Sequence, residues 1–375
     1  MSGFASGAKT YFTDSADHIL DLRNGLDFLS PSQDGVALVK LLGTNAFNAK
    51  SPKIEWNETS LAVRKETITL ADGTGTALTV ANAYQYQVNE LLRVEAEVLR
   101  VTGITNATTL AVARGAAGTT GAAHASKVMR TIGSADPENS LAPAGITDTV
   151  DRLYNYVQTF TRAVELSNDE IAQATSDLPN AFAGNLKRRF IEINRQLATA
   201  ILYGVRYEDS ANKIHMMGGL KQFVQTNVTN VGGALSISAI DAKILAQVQA
   251  GADPTHIAVS PYQKQKLDAL DSNKIYTGKR ELAMGGNPVV STWQSGVLDH
   301  TLDVIVDHGI NDDELWILDK KHVEIGSLSN NGVDGAFHVE DATTPGQDGK
   351  KSVIRGKYTM RVGQEKAHSY LYGLS

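Results

Sequence analysis

The stretch from Leu178 to Tyr203, LPNAFAGNLKRRFIEINRQLATAILY, sets what the rest of the chain must supply. Phe182, Leu186, Phe190, Ile193, Leu197 and Ile201 recur at steps of four or three, so a 3.6-residue period gathers them on one side of a helix. Asp177 is placed to cap the start, Pro179 is tolerated in a first turn whose amides have no partner, and Gly204 closes the run. At about 1.5 Å per residue this helix spans roughly 40 Å, longer than a small domain is wide, so a plate-like body must lie along it. Such a helix is a beam rather than a catalytic platform. Lys187, Arg188, Arg189 and Arg195 form its basic face. They read as a solvated surface opposite the apolar stripe, with a phosphate backbone or an acidic neighbouring subunit as the functional alternative.

Upstream, Tyr154 to Val164 reads as a strand in which Tyr154, Tyr156 and Phe160 share a core face. It follows a linker containing Pro137, Pro143 and Gly145. Before the linker, residues 67–130 are rich in Thr, Val and Gly. Short runs at Thr67–Leu70, Ala77–Ala81, Leu91–Val94, Glu97–Val101 and Thr109–Ala113 are separated by Asp72-Gly73, Thr102-Gly103 and Gly115, the texture of a small all-β barrel or sandwich. Trp56 sits in an extended segment ahead of it and would anchor that extension. Residues 1–50 combine a short helical pattern (Ile19, Leu22, Leu26, Leu29), a stop at Pro31 and an apolar piece from Val36 to Leu42, and read as an arm.

Downstream, Ser238–Ala250 carries Ile240, Ile244, Leu245 and Val248 on one helical face, with the capping spacing Ser238 to Asp241 and a stop at Gly251. His256–Val259 is a short strand, and Ser260-Pro261 opens a second helix through Leu267. Leu302, Val304 and Val306 alternate along another strand. Leu315–Leu318 is continuously apolar, as suits a strand buried on both faces, and Asn311 to Glu314 makes the turn before it. Residues 327–350 read as a loop rich in Gly, Asn and Asp, and Tyr358, Met360 and Val362 alternate in a terminal strand.

The 35 basic and 41 acidic residues leave a net charge of −6, which argues against a protein that coats duplex DNA and leaves only local nucleic-acid contact. The absence of cysteine excludes disulfides, thiolate metal sites and cysteine nucleophiles. The N-terminal residues lack a basic start and apolar core, and no run approaches about 18 apolar residues, so a soluble chain made in the cytoplasm, with no membrane partner, is expected. The glycine-rich run from Arg114 to Gly121 has no Lys-Ser/Thr pair and no following helix to cradle a phosphate. Asp299, His300, Asp303, Asp307 and His308 are metal-competent types, but alternation splits them between two faces. Neither a Gly-x-Ser-x-Gly elbow nor a His-Glu-x-x-His pair occurs. No catalytic residue, cofactor or metal is therefore expected.

The order of parts resembles the major capsid proteins of tailed bacteriophages with the Hong Kong 97-type fold. The resemblance rests on Ile54-Glu55-Trp56-Asn57-Glu58-Thr59-Ser60-Leu61, Val112-Ala113-Arg114-Gly115, Asn155-Tyr156-Val157-Gln158-Thr159-Phe160 leading to Val164-Glu165-Leu166-Ser167, Met217-Gly218-Gly219-Leu220, and Gln364-Glu365-Lys366-Ala367-His368. It implies an α+β chain divided into an N-terminal arm (1–50), an extended loop (51–66 and 132–153), an inserted all-β domain (67–131), a peripheral domain (154–235 and 327–375) whose spine helix is 178–203, and an axial domain (236–326). It further implies hexamers and pentamers tiling an icosahedral shell around double-stranded DNA held by weak non-specific contact. Scaffold, portal and decoration proteins are possible partners, and the virion is the destination. Trp56, Glu58 and Arg114 are the expected contacts with neighbouring copies. The alternatives are an encapsulin-like nanocompartment shell, a phage tail protein, or an enzyme with a spatially assembled Asp/His site near Asp303 or His308.

Overall fold

In the computed structural model the spine helix runs Ala181–Tyr203. The described residues are 36–59, 65–139, 150–172, 181–270, 275–279, 289–330, 332 and 334–375, so the expected caps at Asp177 and Pro179 lie outside them. The apolar stripe is buried unevenly. Ile193, Leu197 and Ile201 are fully enclosed, Phe182 and Leu186 half-buried, and Phe190 is 41% exposed. The core therefore grips the C-terminal half of the helix. Gly204 ends the helix by close approach rather than by a left-handed turn. Its amide donates to Ala200 O at 2.9 Å and its carbonyl accepts from Gly219 N at 2.8 Å. A Cβ there would stand 2.4 Å from both Ala200 O and Met217 O, so only glycine fits.

The chain separates into two compact units, residues 1–55 with 154–375, and residues 56–153. In the first, one sheet runs in the order Ala46–Ala49, Val323–Leu328, Gly349–Val362, Gln158–Ser167, with His338–Asp341 also paired to Gly349–Val362. Its longest ladder is antiparallel, from Gln158 opposite Tyr358 to Ser167 opposite Gly349. The spine helix and helix Val36–Gly43 share the core of this sheet, through Leu38, Leu42, Phe160, Ile193, Leu197, Met360 and Val362. A second sheet has seven strands, ordered Val228–Gly233, Ser369–Leu374, Leu315–Leu318, His256–Val259, Thr301–Val306, Val289–Gln294, Ile275–Lys279. All four residues of Leu315–Leu318 are buried, as a strand flanked on both edges and covered on both faces requires. Helices Ile237–Gln249 and Pro261–Ala269 belong to the same region, and Ser260 Oγ caps the latter by accepting from Gln263 N.

Several expectations need correction. Residues 36–49, read as the end of an arm, are built into the body: Leu38 and Leu42 are fully buried, and Ala46–Ala49 pairs in parallel with Val323–Leu328. The rest of the arm, with Ile19, Leu22, Leu26 and Leu29, lies outside the described residues. The expected strand Tyr154–Val164 is two strands, Asp151–Tyr156 and Gln158–Ser167, because the chain changes partners at Val157, whose amide donates to Pro52 O. The terminal strand is likewise divided. Gly349–Val362 returns to the spine-helix sheet, whereas Ser369–Leu374 enters the seven-stranded one. That sheet therefore crosses the 236–326 boundary, and Val323–Leu328 belongs to its neighbour. The helix cap is Ser236, which accepts from Ala239 N, two residues before the expected Ser238.

Residues 65–134 form a six-stranded antiparallel sheet in the order Lys65–Leu70, His124–Ser134, Glu90–Val94, Glu97–Asn106, Thr109–Ala113, Ala77–Thr79. Ile68, Leu78, Leu92, Val94, Leu99, Leu110 and Met129 close a core of its own. Register shifts on several pairings bend the sheet around that core. The strand His124–Ser134 was not visible in sequence: Met129 is its one large side chain in this core, among Ser, Lys and Arg.

Candidate assembly surfaces

The motifs that carry no chemistry prove to be joints. Asn155 is fully buried; its Nδ2 donates to Gly218 O at 3.1 Å and Met360 O at 2.6 Å, while its Oδ1 accepts from Gly218 N at 2.8 Å. One amide thus ties strand Asp151–Tyr156 to the loop after the spine helix and to Gly349–Val362. Near the C-terminus, Glu365 Oε1 accepts from Gln225 N and Thr226 N, and Gln247 Nε2 donates to Ile317 O and Ala367 O, both at 3.0 Å. His368 is enclosed, and burial pushes its imidazole down to about 4.

Glu314, expected at the end of a turn, is a hub. Its carboxylate is 2% exposed and accepts from Tyr203 Oη at 2.6 Å, Tyr370 Oη at 2.5 Å, Lys221 Nζ at 3.0 Å and Asn311 Nδ2 at 3.1 Å. Burial alone would raise its pKa, but these donors hold it below the ordinary carboxylate value. The hub locks the end of the spine helix to the terminal strand. An acid directly before the buried run Leu315–Leu318 was the available signal. Asp307 works the same way at the end of its strand, accepting from Leu38 N at 3.0 Å and Gly309 N at 2.8 Å.

Arg114, expected to meet a neighbouring copy, is instead turned inward. Its guanidinium makes a two-pronged pair with Glu97, at 2.7 and 2.8 Å, and donates to Asp72 O, Gly75 O and Ala122 O at 2.8, 3.2 and 2.5 Å. With its donors spent on the loops of its own unit, Arg114 is a structural clamp. Glu97 is 1% exposed, also accepts from Gly115 N and Ala122 N, and lies 2.9 Å from His124 Nε2. The bonds from Arg114, with those from Ala122, His124 and Gly115, hold its carboxyl at about 2 against the opposing effect of burial. Trp56 is also buried, and its Nε1 donates to Glu58 Oε1 at 2.7 Å, so these two expected contact residues engage each other.

On the spine helix, Lys187 and Arg189 are exposed and Arg188 and Arg195 half-buried. The basic face is interrupted by Glu192, which takes two bonds from Arg189 at 2.7 and 2.8 Å and lies 3.8 Å from Arg162. Beside it a shallow groove of about 730 Å³ is lined by Phe160, Arg195, Thr199, Tyr203 and Met216. A second, of about 400 Å³, is lined by Val39, Phe47, Leu197, Phe337 and Tyr358. Neither includes Asp303 or His308. Among the described residues no cluster of three or more His, Asp or Glu side chains is placed to hold a metal ion. Asp303 lies 3.8 Å from His256, and His300 is close to Asp253 and Asp299.

The first unit thus combines a long helix against one sheet, a second sheet entered by the C-terminal strand, and buried ionisable groups used as joints. Solved structures share this fold at low identity. The chain is similar to the capsid of the native GTA particle (9% identity, 98% of this chain and 99% of that one, TM-score 0.54). It is also similar to the capsid of cyanophage A-1(L) (12%, 98% and 99%, 0.54) and to a solved structure from Gordonia phage Cozz (11%, 100% and 98%, 0.51). The fold is thus the Hong Kong 97-type fold of phage capsid structures. The SU10 major capsid protein family matches residues 5–375, and the chain belongs to that family. No curated protein matches the sequence. Its role is that of a structural subunit of a bacteriophage's icosahedral shell.

Proposed function

We propose that the chain assembles into hexamers and pentamers that close a head around double-stranded DNA, without catalysing a reaction. The observation that carries this reading is the family match across residues 5–375. The energetics support it. Glu97, Glu314, Asp307 and His368, the buried groups an enzyme would exploit, are each committed to holding elements together or are sealed from solvent. A net charge of −6 suits a shell that holds its genome loosely, with Lys187, Arg188 and Arg189 limited to weak, non-specific contact. Scaffold, portal and decoration proteins would complete the head, and synthesis would take place in the host cytoplasm. A nanocompartment shell is the weaker reading, because the matching family is one of phage heads.

Light scattering on the purified full chain tests this. Species containing many copies, converted to larger closed particles at higher concentration, are expected. A monomer that persists at every concentration reached would refute it.

A further inference from the structure

The outer face of the sheet in residues 56–153 sets like charges side by side. Lys65 lies opposite Arg130, and Arg130 opposite Arg93, across three adjacent strands. Arg93 is in turn opposite Val98, which puts Arg100 one diagonal step away. These side chains point away from the core filled by Met129, Leu92 and Leu99, and all four are exposed. Among the described residues none of the four forms an ion pair. Arg93 Nε donates to Glu95 O, while the Glu95 carboxylate is taken by Lys127 and His124. Like charges directly opposite each other on a sheet destabilise it. Val128 and Ile132, on the same strand as Arg130, are 48% and 54% exposed, so the cations are set among uncovered apolar groups. Among the described residues this repulsion is uncompensated, the mark of a surface built for something outside the chain.

The first unit carries a matching surface. In helix Asn168–Ala172 both Asp169 and Glu170 are exposed, and Asn168 Nδ2 donates to the exposed Asp348. Among the described residues these three acids have no cationic partner. Ile171, 42% exposed, sits among them. Another exposed acidic group, Asp253 with Asp299, already contains His300 and Lys321, and the exposed Asp312 and Asp313 adjoin the buried Ile310 and Glu314 rather than an exposed apolar residue. We infer that the basic row Lys65–Arg130–Arg93, with Arg100, seats on the acidic tip Asp169–Glu170–Asp348 of a second copy, Val128 and Ile132 covering Ile171. The inference rests on the shell reading and names one contact that would hold neighbouring copies in register. Complementary charge fixes partner and register, and every copy in the shell would repeat it.

The test is a charge exchange in the full chain. Arg93→Glu with Arg130→Glu, and separately Asp169→Lys with Glu170→Lys, should each lower particle yield by at least about tenfold. Hydrogen exchange over residues 65–134 should show the variant sheet still folded. Combining all four changes in one chain should restore particles, and mixing the two defective variants should restore a smaller yield, because each meets its complement wherever the two variants are neighbours. Restoration in the combined chain without restoration on mixing would mean the charges pair within one chain, and would overturn the inference. Loss with no restoration would overturn the assigned acidic tip and point to another polyanion, such as packaged DNA. Normal particles from Arg93→Glu with Arg130→Glu would overturn it outright while leaving the shell reading standing. A wild-type chain that forms no particles would remove the shell reading and this inference together.

Discussion

Replacing Arg114 by Met should unlock the glycine-rich loop of the second unit. In the native chain Glu97 is 1% exposed and receives two bonds from Arg114. Removing one partner of a buried ion pair costs about 3–5 kcal/mol, because the other charge is stranded. Glu97 would keep the amides of Gly115 and Ala122 and the neighbouring imidazole of His124, which places the cost at the lower end, about 3 kcal/mol. Glu97→Gln alone should cost a similar amount by stranding Arg114. The double variant should cost only about 1–2 kcal/mol, since a neutral pair of similar volume restores most of the balance and only the carbonyl bonds of Arg114 remain lost. Native-state hydrogen exchange in strands Glu97–Asn106 and His124–Ser134 of the full chain reads these values locally. A pH profile supplies a second reading. Its bonds hold the folded carboxyl at about 2, against the ordinary glutamate value of 4.5 in the unfolded chain. Stability from the clamp is therefore complete above 4.5 and is lost as pH falls through 2, a dependence that should shrink in the Arg114→Met chain, where only the bonds from Gly115, Ala122 and His124 remain. Costs of the single changes that add in the double variant, or a cost below about 1 kcal/mol for Arg114→Met, would refute the clamp.

Three further outcomes follow from the joints. Glu314→Ala strands Tyr203, Tyr370 and Lys221 and should cost at least about 3 kcal/mol in urea unfolding; its wild-type contribution should fade as pH drops through the lowered carboxyl pKa. Gly204→Ala puts a methyl 2.4 Å from two carbonyl oxygens and should lower the melting temperature, at a cost of about 1–3 kcal/mol; an unchanged melting curve would mean that the helix end can shift. His368 is kept neutral by burial, so its unfolded form binds a proton first as pH falls. Stability should decline from about pH 6.5, level off near 4, and lose that component in His368→Gln; equal slopes in both chains would exclude the residue.

What could be read in the sequence was what local periodicity controls. Ile193, Leu197 and Ile201 mark the buried end of the spine helix, Leu315–Leu318 declares a strand covered on both faces, and Ser260-Pro261 announces its cap. These depend on neighbours within a few positions. Groups whose meaning depends on partners far along the chain were misread. Glu314 meets Tyr203, 111 positions away, and Asp307 meets Leu38, 269 away, so one appeared to be a turn and the other a candidate metal ligand. Leu38 and Leu42 read as part of an arm because the core that encloses them is built from Phe160 and residues still farther along the chain. Arg114 reads as a contact with a neighbouring copy because its partners Glu97, Asp72, Gly75 and Ala122 come together only in the folded unit. The basic row on the second unit was overlooked because Lys65, Arg93 and Arg130 become neighbours only through strand pairing.

If this chain builds a closed shell, electron microscopy of the purified protein should show it. Closed icosahedral particles resolvable into hexameric and pentameric capsomers are expected; dispersed single chains at high concentration, or open rods, would exclude a shell.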